Sequence, residues 1–359
     1  MPNARQKADL MPWAFRACQP AHLMTSITRR RRRRFFVVLS APGLGLLAAS
    51  LPTATSLAQA STTQVGYVVN SGSANVSVFK TATNTVTKTI KVGTGAWNVT
   101  LSPSGATADV TNSGMGTVSV INTTTEKVTH TIKVAKTPTD LVFSKDGTRA
   151  FVANAGSNTV SVINTATNKV TGSVKVGVEP YALALSPNGK SLWVANCAFP
   201  QDPSSTVSVI NATTDKVIHT ITGFNCTEGI AFSSGGTTGY VTNANSDTVA
   251  IVDVATSKVT GSVLVGSNPQ GIKLTPNGTH LYVANGGAGT VSVISTATNT
   301  VTATIPVGAN PSKVAINPAG TRVYVTNAGA SSVSVITTAT NTVTATFAVG
   351  TTPVGVAVP

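Results

Sequence analysis

The feature that most constrains this chain is a tetrapeptide that it keeps rewriting. Tyr324-Val325-Thr326-Asn327 recurs as Tyr67–Asn70, Asp109–Asn112, Phe151–Asn154, Trp193–Asn196, Tyr240–Asn243 and Tyr282–Asn285. The closing asparagines stand 42 residues apart at every step but one, Asn196 to Asn243, which is 47. A fixed period of this size belongs to solenoids, propellers and arrays, whose repeats bury their cores against one another.

Within one period, Pro311–Ile316 alternates apolar and other residues, as a strand between neighbouring sheets should. Asn317-Pro318-Ala319-Gly320 is a turn in which proline presets φ and glycine accepts a positive one. Arg322–Asn327 and Ser332–Ile336 read as further strands, Thr338-Ala339-Thr340-Asn341 as a turn, and Val343–Val349 as a fourth strand. Four short strands per repeat make a propeller blade. Residues 61–359 hold seven such periods plus the five-residue excess. They begin near Val65 with a second-type strand and end with a first-type strand, Pro353-Val354-Gly355-Val356-Ala357-Val358. This phasing predicts an all-β, seven-bladed β-propeller of four-stranded antiparallel blades. The last strand completes the first blade and closes the ring, so no terminal blade face is left exposed.

The elements Ser186-Pro187-Asn188-Gly189, Trp193–Asn196 and Thr206–Ile210 resemble the YVTN-type β-propeller repeat of secreted and surface bacterial and archaeal proteins. The resemblance covers essentially all of 61–359 and implies the same seven-bladed architecture. It implies no shared active site, because that motif is structural. Asp109 departs from the pattern by replacing the aromatic residue, and Ser233-Ser234-Gly235-Gly236 lacks the turn proline.

Residues 1–60 read as an export signal. Arg29 to Arg34 precede an apolar run from Phe35 to Leu51, and Ala58-Gln59-Ala60 offers a small-residue cleavage site. The run is too broken by Pro42, Gly43, Gly45 and Ser50 to make a good membrane span. Arg32-Arg33-Arg34-Phe35-Phe36 resembles a twin-arginine signal, against an ordinary Sec signal with an over-basic start. Met24 stands beside Met1 as a possible start. Of the formal charge of +14, the leader supplies nine basic residues and one acid, which leaves the remainder near +6. The expected mature protein is extracytoplasmic, in the periplasm or secreted, monomeric and without a membrane span.

Candidate functional residues come from aligning the repeats where one blade's fourth strand feeds the next blade's first. Scaffold positions repeat there while Trp97, Asn98, Asp140, Glu179, Tyr181, Glu228, Gln270 and Lys313 do not, so these are the candidate ligand-binding residues around the channel mouth. Two aromatics and three acids would form a ligand funnel; alternatively, large residues simply plug the pore. No cofactor is expected. A divalent cation held by the carboxylates is the alternative, though no calcium-loop spacing supports it. Cys197 opens the one insertion, 197–203, and Cys226 lies in the next linker on that face. They read first as a disulfide, with free thiols or metal ligation as alternatives.

Catalytic constellations are thin. His130, His219 and His280 are not grouped, and no serine stands in a nucleophile elbow with plausible partners. The expectation is therefore a binding or interaction module for a protein or small molecule. A lactonase- or lyase-like propeller enzyme in the same funnel is the first alternative, although such enzymes use clustered His and Glu residues that have no counterpart here. Nucleic-acid binding is the second, weakened because the lysines (Lys88, Lys91, Lys133, Lys175 and Lys258) form no run.

Overall fold

The computed structural model describes residues 64–197 and 205–359. The expected export signal, residues 1–60, and the body of the insertion lie outside the described residues. The repeat becomes seven four-stranded sheets arranged as blades. Numbering blades along the chain, the inner strands of blades 2 to 7 are Ala96–Leu101, Pro138–Phe143, Pro180–Leu185, Thr227–Phe232, Pro269–Leu274 and Pro311–Ile316. Blade 1 takes its inner strand from the other end of the chain. Pro353–Ala357 pairs antiparallel with Val65–Asn70, setting Val68 opposite Val356 and Asn70 opposite Pro353. The C-terminal strand thus closes the ring.

The tetrapeptide forms the second strand of each blade, and its residues bind neighbours in a fixed way. Tyr324 packs on Phe79 of the next blade with ring centroids 5.4 Å apart, and its hydroxyl donates to the Thr81 carbonyl. The valines beside it are fully buried. Asn327 Nδ2 donates to Ser332 and Ser334 Oγ of the third strand, at 3.1 and 2.9 Å. Asn112 and Asn285 make the equivalent pairs. The polar residues that open the third strand, such as Thr117 and Ser119 or Ser332 and Ser334, are therefore the asparagine's acceptor set. Glycine completes the joint: a Cβ on Gly308 would fall 2.6 Å from Asn327 Cγ, so the blades meet too closely there for a side chain.

The core lies between blades. Tyr282, Val291 and Val293 of blade 6 pack with Val314, Val325 and Ile336 of blade 7. At the closure, Val68, Phe79 and Val356 of blade 1 pack with Tyr324, Val333 and Val335 of blade 7. Each inner strand shifts register against the second strand near its start, for example between Pro311 and Val314. A bulge of this kind re-aims the residues beside it. Here those are the second and third inner-strand residues, where the candidate site lies. Among the described residues no helix is long and apolar enough to cross a membrane.

Candidate functional site in the central channel

The seven inner strands enclose a cavity of about 530 Å³. In blades 2, 4, 5, 6 and 7 its wall runs from the third to the sixth residue of the inner strand; blade 3 contributes Asp140, Leu141 and Val142, blade 1 contributes Val356, Ala357 and Val358, and the wall reaches Pro187 in a turn between first and second strands. Three charged side chains line it: Asp140, Lys273 and Lys313. The remainder is mostly Val, Leu, Ile, Ala and Gly, so an apolar chamber carries a few polar groups.

At the loop-face end the second inner-strand residues form a roof. Trp97 and Tyr181, 7% and 6% exposed, meet edge to face with centroids 5.8 Å apart. They are packed against each other rather than presented to solvent. Lys313 Nζ lies 5.7 Å from the centre of the Tyr181 ring, a cation–π contact between blades 7 and 4. Burial and the nearby carboxylates Glu228 and Asp140 push the Tyr181 hydroxyl well above its ordinary range. Trp97 Nε1 is buried without a hydrogen-bond partner.

Glu228 is the unusual group of this layer. Its Oε2 is buried and unpartnered. Cys226 Sγ lies 3.8 Å from Oε1, which is a contact rather than a hydrogen bond because a disulfide sulfur carries no proton. Burial raises the Glu228 carboxyl from 4.5 to about 7, against the pull of the Lys313 charge. Asp140 is the opposite case. Its Oδ1 accepts from Asn98 Nδ2 and the Leu141 amide, and its Oδ2 from the Leu183 amide at 2.9 Å. Those bonds tie blades 2, 3 and 4 together, so Asp140 is a bracing carboxylate that also faces the cavity.

The other expected residues sit outside this cluster. Gln270 Nε2 donates to Asn268 Oδ1 at 3.0 Å. Glu179 lies in the turn before the blade 4 inner strand, where its carbonyl accepts from the Cys197 amide. Its φ of 51° matches that of Thr137, Cys226, Asn268, Asn310 and Thr352 at the same point of other blades, so its backbone is scaffold geometry. Cys197 and Cys226 are joined by a disulfide that links blades 4 and 5 beside the insertion. His130 and His219 are exposed on outer strands, and His280 is half-buried at the start of a second strand. Among the described residues no three of His, Cys, Asp and Glu stand close enough to hold a metal ion. Lys91, Lys133 and Lys175 end outer strands on the rim, not in the channel.

Lys273 was not among the residues singled out from the repeats. It is the fifth residue of its inner strand, and its equivalents are Thr100, Val142, Ala184, Ala231, Ala315 and Ala357. The candidates lie at or before the third inner-strand position; a comparison of the repeats at the fifth picks out this single charge. The side chain is exposed to the channel, whose wall of seven inner strands packs protein around it. That surrounding protein lowers its pKa, with the Asp140 charge opposing.

Residues 182–329 match the family model described as "SMP-30/Gluconolactonase/LRE-like region". This is less than half of the 359-residue chain, so the similarity is one of that stretch. No curated protein matches the sequence. Among solved structures, hydrazine synthase of Kuenenia stuttgartiensis is similar with a TM-score of 0.71 at 22% identity, over 76% of this chain and 92% of that one. A functionally unknown protein from Desulfotomaculum acetoxidans DSM 771 also scores 0.71, at 17% identity, over 82% and 98% of the two chains. Dihydro-heme d1 dehydrogenase NirN in complex with DHE scores 0.61 at 13% identity, over 80% and 64%. At these identities the likeness is one of fold.

Proposed function

We propose that the protein is an exported binding module that holds a small organic molecule in the central channel of its propeller. The observation that carries this reading is the cavity, about 530 Å³ and lined by all seven inner strands. Small-molecule sites run from about 300 to 1,000 Å³ and pair apolar walls with a few placed polar groups. The roof supports entry from the opposite end, since Trp97 and Tyr181 are buried against each other. Export rests on the arginine-led apolar run of the leader and on the Cys197–Cys226 disulfide, a bond at home in oxidising compartments.

The test is a thermal-shift screen of the full chain against sugars, lactones, nucleosides and organic acids, repeated with Ala184→Trp. Ala184 lines the channel, so an indole there fills the chamber. A ligand at a hundred times its dissociation constant adds about 2.7 kcal/mol of stability. The expected result is a shift that Ala184→Trp abolishes. Shifts that survive both Ala184→Trp and Ala231→Trp would place the ligand elsewhere and end this reading.

A second reading, a hydrolytic propeller, draws on Glu228. A buried carboxyl raised to about 7 with one unpartnered oxygen has the properties of a general base. The partial match to the gluconolactonase-like model spans this residue as well as Lys273 and Lys313. Under this reading Glu228→Gln removes turnover of a lactone panel while ligand-induced stabilisation persists. Unchanged turnover in that variant would refute it.

A further inference from the structure

We infer that the channel ligand is a small organic anion whose carboxylate seats on the Lys273 ammonium. This deepens the reading of the channel as a ligand site and rests on it. The argument begins with the repeats as their own control. The fold fills the fifth inner-strand position with Thr, Val or Ala in six blades, so blade architecture does not call for a lysine there. Lys273 lines the cavity, and among the described residues it has no hydrogen bond or ion pair. Inside a channel walled by seven strands an ammonium has less water around it than on the outer surface, and proteins generally pair such charges. Its pKa is lowered by that surrounding protein.

Asp140 is the carboxylate whose charge reaches Lys273, but its oxygens already accept from Asn98, Leu141 and Leu183. It can oppose the lysine's loss of water only from a distance. Lys313, the other ammonium of the cavity, is placed over the face of Tyr181. The cavity wall therefore carries two ammonium groups against one braced carboxylate, an excess that selects anions over cations. A ligand carboxylate supplies Lys273 with a charge-assisted hydrogen bond. The apolar part of the ligand then lies against Val142, Leu183, Ile230 and Ile272.

The experiment measures binding of succinate, citrate and benzoate, and of the neutral amides succinamide and benzamide, to the full chain by calorimetry and thermal shift. Its variants are Lys273→Met, which keeps the stem without the charge, and Lys273→Arg. At least one carboxylate should bind about tenfold or more tightly than its amide, a difference of about 1.4 kcal/mol. Lys273→Met should lose that preference with an unliganded melting temperature no lower than that of the wild type, and Lys273→Arg should retain part of it. Amides binding as well as carboxylates, or an undiminished preference in Lys273→Met, would overturn the inference and leave the channel reading standing. Silence from both classes, up to about 100-fold above a micromolar dissociation constant, would overturn the inference and the channel reading together.

Discussion

At the residue scale, the tetrapeptide is a set of addresses. Its aromatic residue reaches the next blade, its asparagine crosses to the third strand, and its threonine bridges inner strands. Thr326 Oγ1 donates to the Val354 carbonyl at 2.7 Å and accepts from the Lys313 amide. Asp109 shows what happens when one address is rewritten. It is 5% exposed, one of its oxygens has no partner, and burial raises its carboxyl from 3.8 to about 7. The folded chain thus keeps a proton between about pH 4 and 7 that the unfolded chain releases, so Asp109 makes stability fall as pH rises through that window. Above it the cost is on the order of 4 kcal/mol, at 1.36 kcal/mol per unit. Relative to wild type, Asp109→Asn should therefore be more favourable at pH 8 than at pH 5 by a few kcal/mol. Denaturant unfolding at the two pH values checks this, and a pH-independent difference would contradict the buried-acid account.

At the element scale, the decisive strand is Pro353–Ala357. It supplies the buried side chains Val354 and Val356 and covers the edge of Val65–Asn70. Burying a valine contributes about 1.5–3 kcal/mol. Removing 353–359 thus costs several kcal/mol and also bares a strand edge that is free to pair with another chain. The truncated chain should melt well below the full one and form oligomers on size-exclusion chromatography. An unaltered monomer with the same melting temperature would show that closure does not depend on this strand. Both the strand and its partner were legible in the sequence, because the repeat phase leaves a first-type strand over at one end and a gap at the other. The bulges at the start of the inner strands were not legible. They depend on how neighbouring sheets splay around the ring, which alternation within one strand does not encode.

At the scale of the whole molecule, seven near-identical blades converge on one axis, and there residues distant in sequence meet. Trp97 and Tyr181 come from blades 2 and 4, and Lys313 reaches Tyr181 from blade 7. The repeat alignment located this layer by its variability but left open whether it was a platform or a plug. The structure packs Trp97 against Tyr181 and puts the empty volume beneath them. Ring closure also explains why Lys273 matters: on an isolated blade it would be one more surface lysine, and only the other six blades make it part of a cavity wall.

The sequence by itself determined the architecture. Period, turn chemistry and strand phase are local signals repeated seven times, and they agree on one closed ring. Tertiary structure alone decided which variable residues stack as a roof, which carboxylate is braced by blade-to-blade hydrogen bonds and which is left with an unpaired oxygen, and which ammonium faces the cavity alone. Those properties are set by distances between blades and by exclusion of water around the axis, and neither exists until the last strand closes the first blade.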